Sequence, residues 1–251
     1  MKKKVVGVLL SFVVMFNMFA INRVEEEARL YKEFISTIVP ECCVEPFYNQ
    51  TYDYKNSITS INLGIELLAI GQKESNWKLN AVGKNYVNGV VDSYDYGPLQ
   101  LNSKNYKTFV ELFGPNIEGI EDKNIYYMCL CIEYYKDLRK RWDCYSAYMA
   151  YNGGEPRVRK GTPKRIVIEY ADEVLEKSTS LLEDYHLYRD SKLEELRRQE
   201  LENSIKTIGA NVKTEIIIDS KYAESFTKNL IYNKNFVWFK REDFLQKELV
   251  A

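Results

Sequence analysis

One helical segment constrains the fold of this chain more than any other feature. Between about residues 61 and 77 the apolar side chains follow the helical period in two adjacent rows. The first row contains Leu63, Leu67, Ile70 and Trp77, and the second contains Ile61, Ile65 and Leu68. A helix with two apolar rows is largely buried. The segment therefore predicts a core helix, whose start Ser57, Thr59 or Ser60 can cap.

The first apolar row also contains a carboxylic acid, Glu74. Burial disfavours the charged form of a carboxyl group and so raises its pKa. A glutamic acid that is still protonated near neutral pH can donate its proton to a glycosidic oxygen, as the general acid of lysozyme does. The spacing alone fits equally well a glutamate that turns to water at the end of a helix.

The rest of the chain predicts a mainly helical α+β protein. Residues 24–39 have the pattern of a short helix ended by Pro40, and residues 41–56 are expected to be irregular. Asn88-Gly89 between apolar residues is typical of a tight hairpin turn, so a small β lobe is expected over residues 79–101. Helical patterns then return over residues 125–142 and 144–151, the second one stopped by Gly153 and Gly154.

A further helix is predicted to begin near Thr162-Pro163 and to turn Ile166, Tyr170 and Val174 inward. After about residue 177 the sequence becomes a charged helical segment with a thin apolar stripe, followed by short strand-like runs at residues 215–218 and 235–239. These runs are interpreted as a small C-terminal extension. It is either a partner-binding tail or a solvated appendage.

The N-terminus has the pattern of an export signal. Lys2, Lys3 and Lys4 precede an apolar run from Val5 to Ala20, and a charged stretch follows. This is the layout of a Sec-type signal peptide, so the protein is expected in the periplasm or cell envelope. Because Met18 fits the cleavage rule poorly, an uncleaved anchor stays open, and a membrane contact is expected only in that case.

Composition excludes some classes of function. Lys and Arg total 35 against 36 Asp and Glu, which argues against a nucleic-acid-binding protein. With one His and no CxxC pair, neither a zinc site nor any other cofactor is predicted. In an exported protein the five cysteines are candidates for disulfides, for example Cys129 or Cys131 with Cys144. Buried unpaired thiols fit the sequence equally well.

Four short motifs occur in the order found in one enzyme family. Glu74-Ser75-Asn76-Trp77 resembles the Glu-Ser motif that ends the catalytic helix of the SLT-type lytic transglycosylases, relatives of goose-type lysozyme. Residues 95–103 (DYGPLQLNS) resemble the Gly-Leu-Met-Gln segment of that family, although Pro98 and Leu99 replace the usual Leu-Met. Residues 150–154 (AYNGG) are similar to its Ala-Tyr-Asn-Ala-Gly motif, and Tyr170 falls where the family has a tyrosine in its last core helix.

The resemblance covers roughly residues 57–178 and implies a lysozyme-like domain there with a small β-hairpin lobe. The predicted division is a signal peptide or anchor at 1–20, a helix and irregular segment at 21–56, the lysozyme-like domain at 57–178, and the extension at 179–251. Asn88-Gly89, Asp95 and the Leu-Asn-Ser after Gln100 resemble the small specialised members associated with secretion and conjugation machines. A secretion or motility assembly is therefore a predicted partner of the extension.

The resemblance also implies a chemistry and a set of site residues. The substrate is the glycan strand of peptidoglycan, and Glu74 acts first as general acid and then as general base. The N-acetyl group and the 6-hydroxyl of the muramic acid residue replace a second carboxylate, so that a 1,6-anhydro end results. Ser75 and Gln100 are expected to hydrogen-bond sugar or peptide groups, Tyr151 and Asn152 to line the cleft, and Tyr170 to hydrogen-bond near Glu74. Core packing fits Tyr151 and Tyr170 equally well.

Two other functions remain open at the level of sequence. If Asp92 or Asp95 reaches the cleft opposite Glu74, it could activate water, and the enzyme would be a hydrolytic muramidase on the same fold. Their turn context favours bonds to the local backbone instead. A non-catalytic peptidoglycan-binding scaffold, which recruits a partner through its C-terminal segment, is the alternative outside enzymes.

Overall fold

The computed structural model describes residues 24–117 and 119–211. Of these residues, those up to Leu196 form one compact unit, and Arg197 begins a second, of which the described part is the end of the last helix. The predicted signal at residues 1–20 and the strand-like runs at residues 215–218 and 235–239 lie outside the described residues.

The described part is mainly helical with one small sheet, which confirms the predicted fold class. The helices are α1 (24–36), α2 (Glu41–Thr51), α3 (Ser57–Glu74), α4 (Tyr106–Phe113), α5 (Lys123–Arg141), α6 (Cys144–Gly153), α7 (Glu155–Arg159) and α8 (Arg165–Asn211). The strands are β1 (Val82–Val87), β2 (Val90–Tyr96) and β3 (Leu101–Asn102).

The prediction of an irregular segment over residues 41–56 is wrong. Residues Glu41–Thr51 form α2, although Pro46 lies inside it. Its Cys43 and Phe47 are fully buried, and the helix packs against α3 and α5. Burial of this apolar face outweighs the local cost of the proline, which sequence periodicity did not reveal.

Helix α5 is the centre of the core. Met128, Leu130, Ile132 and Tyr135 have no exposed surface, and the helix contacts α2, α3, α4, α6 and β3. Its start is capped by Asp122, whose carboxylate accepts hydrogen bonds from the backbone N–H groups of Asn124 and Ile125. Three basic residues in its last turn complement the helix dipole.

Helix α8 continues without a break across the predicted boundary between residues 178 and 179. Its Leu181 and Tyr185 are buried, and the Tyr185 ring packs edge-on against Tyr31 and Phe34 of α1 at centroid distances of 6.0 and 5.3 Å. A hydrogen bond of 3.1 Å between the hydroxyls of Tyr148 and Ser178 ties α8 to α6. The first turns of α8, which contain Tyr170, are therefore held firmly against the core.

The predicted inward face of this helix is wrong at one position. Ile166 is 68% exposed, and its neighbour Val167 is 3% exposed instead. Val167 packs against Gly153, where a Cβ atom would come within 2.8 Å of the valine methyl groups. Tyr170 and Val174 are buried as predicted.

The β lobe confirms the predicted hairpin and adds an irregularity. Asn88 and Gly89 both have positive φ angles, 52° and 78°, which a tight turn of this kind requires. Strands β1 and β2 are antiparallel, and their register shifts between Asn85 and Tyr86, so that Asp92 becomes an extra residue in β2. Strand β3 continues the sheet beside β2.

Two further observations concern predictions left open by the sequence. No helix within residues 24–117 and 119–211 is long and apolar enough to cross a membrane. All five cysteines are unpaired: Cys43, Cys129 and Cys131 are buried, Cys144 is partly buried and Cys42 is exposed.

The end of α3 is fixed by a tryptophan. The helix ends at Glu74, three residues earlier than predicted, because Asn76 and Trp77 adopt left-handed backbone conformations with φ angles of 51° and 58°. The Trp77 ring then folds back over Gly71, and its indole N–H donates to the Leu68 carbonyl at 3.1 Å. A left-handed tryptophan is strained by about 1–2 kcal/mol, so this packing must hold it in place.

Replacing Gly71 by alanine tests this lock. The new Cβ would lie 2.4 Å from the Trp77 ring, which cannot move without losing its contact with Phe47 and its hydrogen bond. We expect Gly71→Ala to lower the free energy of unfolding by about 1–3 kcal/mol in chemical denaturation. Asn62→Ala, at an exposed position of the same helix, serves as the control and should change it by less than about 0.5 kcal/mol. Equal stability of the two variants would contradict the lock.

Candidate active site

Glu74 lies at the last position of α3 in a partly buried setting. The Tyr170 hydroxyl, from the second turn of α8, donates a hydrogen bond of 2.6 Å to its Oε1 atom. The neighbouring Lys73 forms an ion pair with Glu173 of α8. Thus α8 contacts the end of α3 through a neutral donor on one side and a salt bridge on the other.

The surroundings of Glu74 raise its pKa to about 7 from the ordinary value of 4.5. Burial is the largest cause and raises the pKa. The hydrogen bond from Tyr170 acts against it, because the bond stabilises the carboxylate. The negative charge of Asp95 raises the pKa and the positive charge of Lys73 lowers it. A substantial fraction of Glu74 is therefore protonated at neutral pH.

The turn from Gly97 to Gln100 is anchored by two hydroxyl groups from outside the sheet. Ser75 Oγ donates to the Pro98 carbonyl and Tyr151 OH donates to the Leu99 carbonyl, each at 2.7 Å. The family resemblance predicted that Ser75 hydrogen-bonds sugar or peptide groups and that the Tyr151 ring lines the cleft. In the structure their hydroxyls hold adjacent carbonyls of one turn, and their assignment as substrate-binding residues stays a prediction.

The amides of Gln100 and Asn152 are placed differently. Gln100 has a positive φ angle of 54°, and its Nε2 atom donates to the Gly97 carbonyl at 2.8 Å, so its side chain folds over its own turn. Asn152 near the end of α6 is exposed. The Asn152 amide is thus free to meet a ligand, whereas one donor of Gln100 is already used.

The two aspartates left open by the sequence have separate environments. Asp92, the extra residue of β2, forms an ion pair with Lys104. Asp95 accepts hydrogen bonds from the side-chain amides of Asn85 and Asn102, each at 2.7 Å, rather than from the local backbone. Asp95 is the aspartate whose charge acts on Glu74.

A comparison with models of known protein families identifies the domain that contains these residues. Residues 63–165 match the family model described as Transglycosylase SLT domain. This match identifies residues 63–165, and not the whole chain, as a transglycosylase SLT domain. This family is made up of lytic transglycosylases that act on peptidoglycan. The match confirms the resemblance and contains three of the four motifs, those at residues 74–77, 95–103 and 150–154. No curated protein and no solved structure matches the chain.

The SLT match contains the end of α3, the sheet, the anchored turn and α6. Proteins with this domain act on peptidoglycan in the cell envelope. Tyr170 lies five residues beyond its end. The hydrogen bond between Tyr170 and Glu74 is therefore known from the structure and not from the family match.

Sequence reasoning missed two side chains of the SLT domain, Asn85 and Asn102. They lie on β1 and β3, on either side of Asp95. Alternating polar residues in a predicted hairpin were the available signal. Within the part of the chain that the structure describes, no group of three or more His, Cys, Asp or Glu side chains is arranged to hold a metal ion.

Changing Tyr170 to phenylalanine tests the electrostatics of Glu74. The hydroxyl stabilises the carboxylate, so its removal should raise the Glu74 pKa above 7, while the ring still fills its space. The sequence predicts Glu74 as a general acid, which must be protonated to act, so kcat/KM should begin to fall at a higher pH in Tyr170→Phe than in the native enzyme. The measurement is the pH profile of glycan cleavage.

Tyr145→Phe is the matched control, since its hydroxyl donates to Asp172 at 2.6 Å in a contact between α6 and α8. It should leave the basic limb of the profile in place. A profile of Tyr170→Phe that shifts to lower pH would contradict the assigned sign of this hydrogen bond.

Proposed function

We propose that this protein cleaves the β-1,4 bond between N-acetylmuramic acid and N-acetylglucosamine in peptidoglycan without water, leaving 1,6-anhydro-muropeptides. The supporting observation is one partly buried carboxyl group, Glu74, with a pKa of about 7 and a single hydroxyl donor. A group with this pKa can both give and take a proton at neutral pH, which this reaction requires of one side chain.

In the first step, protonated Glu74 donates its proton to the glycosidic oxygen as the bond to the muramic acid C1 breaks. The carboxylate that forms is stabilised by the hydrogen bond from Tyr170, which is already in place at 2.6 Å. The N-acetyl group of the muramic acid assists at C1. The substrate thus supplies the nucleophile that a second carboxylate provides in other retaining glycosidases.

In the second step, the Glu74 carboxylate takes the proton of the muramic acid 6-hydroxyl as the hydroxyl oxygen attacks C1. The bond between C1 and the N-acetyl oxygen formed in the first step breaks, and the acetamido group is restored. Glu74 is then protonated again and ready for the next bond. The anchored turn at residues 97–100 supports this geometry. Ser75, the residue after the acid, is tied to it by a hydrogen bond of 2.7 Å, so acid and turn keep a fixed relation. Asn152 and the free atoms of Gln100 are proposed to bind the sugar.

Hydrolysis on the same fold is the second candidate, and the position of Asp95 favours it. Its charge acts on Glu74, so a second carboxylate lies within electrostatic range of the proposed acid. If a water molecule fits between the two groups, Asp95 could activate it, and the product would carry a reducing end. The two functions differ in product and not in the role of Glu74.

Product analysis on purified peptidoglycan tests the role of Glu74 and distinguishes the two candidate reactions. We expect 1,6-anhydro-muropeptides from the native protein in mass spectrometry, and at least about a 100-fold slower release by Glu74→Gln, which cannot donate the proton. Glu176→Gln, at an exposed position of α8, is the matched control and should keep the native rate. Reducing ends would select the muramidase, and binding without release would select the scaffold.

We further propose that the protein is exported by its N-terminal signal and that the predicted extension, residues 179–251, binds an envelope secretion or motility assembly. The proposal is supported by the signal pattern of residues 1–20 and by the charged character of the sequence from Leu181. Because Leu181 and Tyr185 are core residues, the test must not remove them.

Deleting residues 212–251 leaves every described element intact. We expect the shortened protein to release muropeptides from isolated wall within about twofold of the native rate, because no described contact is lost, and to fail in the cell, where recruitment is needed. Two quantities are measured for the shortened and the native protein: the rate of muropeptide release from isolated wall, and function in the cell by cell-envelope assays. Full function of the shortened protein in the cell would overturn the recruiting role.

A further inference from the structure

Four polar side chains, those of Asn85, Ser93, Asp95 and Asn102, share one face of the β lobe. The register pairs Gly83 with Asp95 and Asn85 with Ser93 between β1 and β2, and Asp95 with Asn102 between β2 and β3. Cross-strand partners point to the same side of a sheet. Asp95 on the central strand is therefore flanked by an asparagine on each outer strand.

Each asparagine binds a different oxygen of the Asp95 carboxylate. Asn85 Nδ2 donates to Oδ2 and Asn102 Nδ2 donates to Oδ1, both at 2.7 Å. The orientation of the Asn102 amide is set independently, because its Oδ1 atom accepts the backbone N–H of Lys104 at 2.9 Å. The NH2 group of the Asn102 amide must then face Asp95 and Ser93. Both carboxylate oxygens are held by donors, and the side chain cannot rotate without breaking two short bonds.

We propose that Asn85 and Asn102 are positioning residues for the general acid, which fix the orientation of the Asp95 carboxylate relative to Glu74. The inference rests on the proposed role of Glu74 and adds to it two residues that the chemistry itself does not use. Amide donors stabilise the negative charge that acts on Glu74.

The other ionisable groups around Glu74 come from every element that packs there. Those that interact with it electrostatically are Lys73 on α3, Asp95 on β2, Cys131 on α5, Tyr151 on α6 and Tyr170 on α8. Lys73 and Tyr170 favour the carboxylate, whereas Asp95 is the group that favours the protonated form besides burial. Loosening Asp95 therefore leaves the opposing groups in place and should lower the Glu74 pKa.

A double-mutant cycle on the intact protein tests this. The observable is the pKa of Glu74, followed by ¹³C NMR of the side-chain carboxyl groups, with the signal identified by its loss in Glu74→Gln. We expect Asp95→Asn to lower this pKa, and Asn85→Ala and Asn102→Ala each to lower it by roughly half a unit or more. In the Asp95→Asn background, Asn85→Ala should cause no further shift, because its effect passes through the Asp95 charge.

The control is Asn80→Ala, which removes an asparagine hydrogen bond of 2.7 Å to Asn124 and touches neither Asp95 nor Glu74. Its Glu74 pKa should be native. If Asn85→Ala fails to fold, Asn85→Ser takes its place, and thermal unfolding identifies a purely structural loss. A Glu74 pKa that stays native in both asparagine variants, or that shifts equally with and without the Asp95 charge, would overturn the proposal.

The NMR titration separates this inference from the proposed function. Its outcome does not depend on glycan cleavage, so a protein that releases no product could still show the shifts. In an active enzyme, the basic limb of the kcat/KM profile should move to lower pH in both asparagine variants, while Asn80→Ala keeps the native profile.

Discussion

The desolvation of the Glu74 carboxyl group is the constraint on which the rest of the site depends. A carboxyl group removed from water keeps its proton more readily, and in this site its pKa reaches about 7. A single hydrogen-bond donor, Tyr170, moderates the effect from a position 96 residues away in the chain. The Tyr170 hydroxyl is held in position because α8 is tied to α6 by the hydrogen bond between Tyr148 and Ser178. The ion pair between Lys73 and Glu173 ties α8 to α3.

Several residues of the family motifs form hydrogen bonds to other parts of the protein. Ser75 and Tyr151 each donate to a carbonyl of the turn at residues 97–100, and the Gln100 amide closes over that turn. Motifs far apart in sequence are thereby joined into one rigid frame around the acid. Pre-organisation of this kind lowers the cost of arranging groups during the reaction. Motif residues can thus serve the chemistry through geometry as well as through contact with the sugar.

A single bulge decides which side chains of β2 share a face with Asn85. In a regular hairpin closed by Asn88 and Gly89, Asn85 would face Asp92, and Asp95 would lie on the opposite side of the sheet from Asn85. The extra residue in β2 moves Asn85 opposite Ser93 and brings Asp95, with its partner Asn102, onto the face of Asn85. A shift of one residue turns a strand over, so the bulge makes the hydrogen bond between Asn85 and Asp95 possible without changing any motif.

Local pattern was sufficient for the core helix, the tight hairpin turn, the helices around Met128 and Tyr148, and the order of the family motifs, because periodicity and turn chemistry depend on near neighbours. It was insufficient for α2, for the inward position of Val167 and for the end of α3, which burial against other elements settles. It could likewise name Glu74 but not its surroundings. The pKa of that group depends on lost water, on Tyr170 and on Asp95, all of which reach it only through the folded chain, since electrostatics and desolvation act across space and not along the sequence.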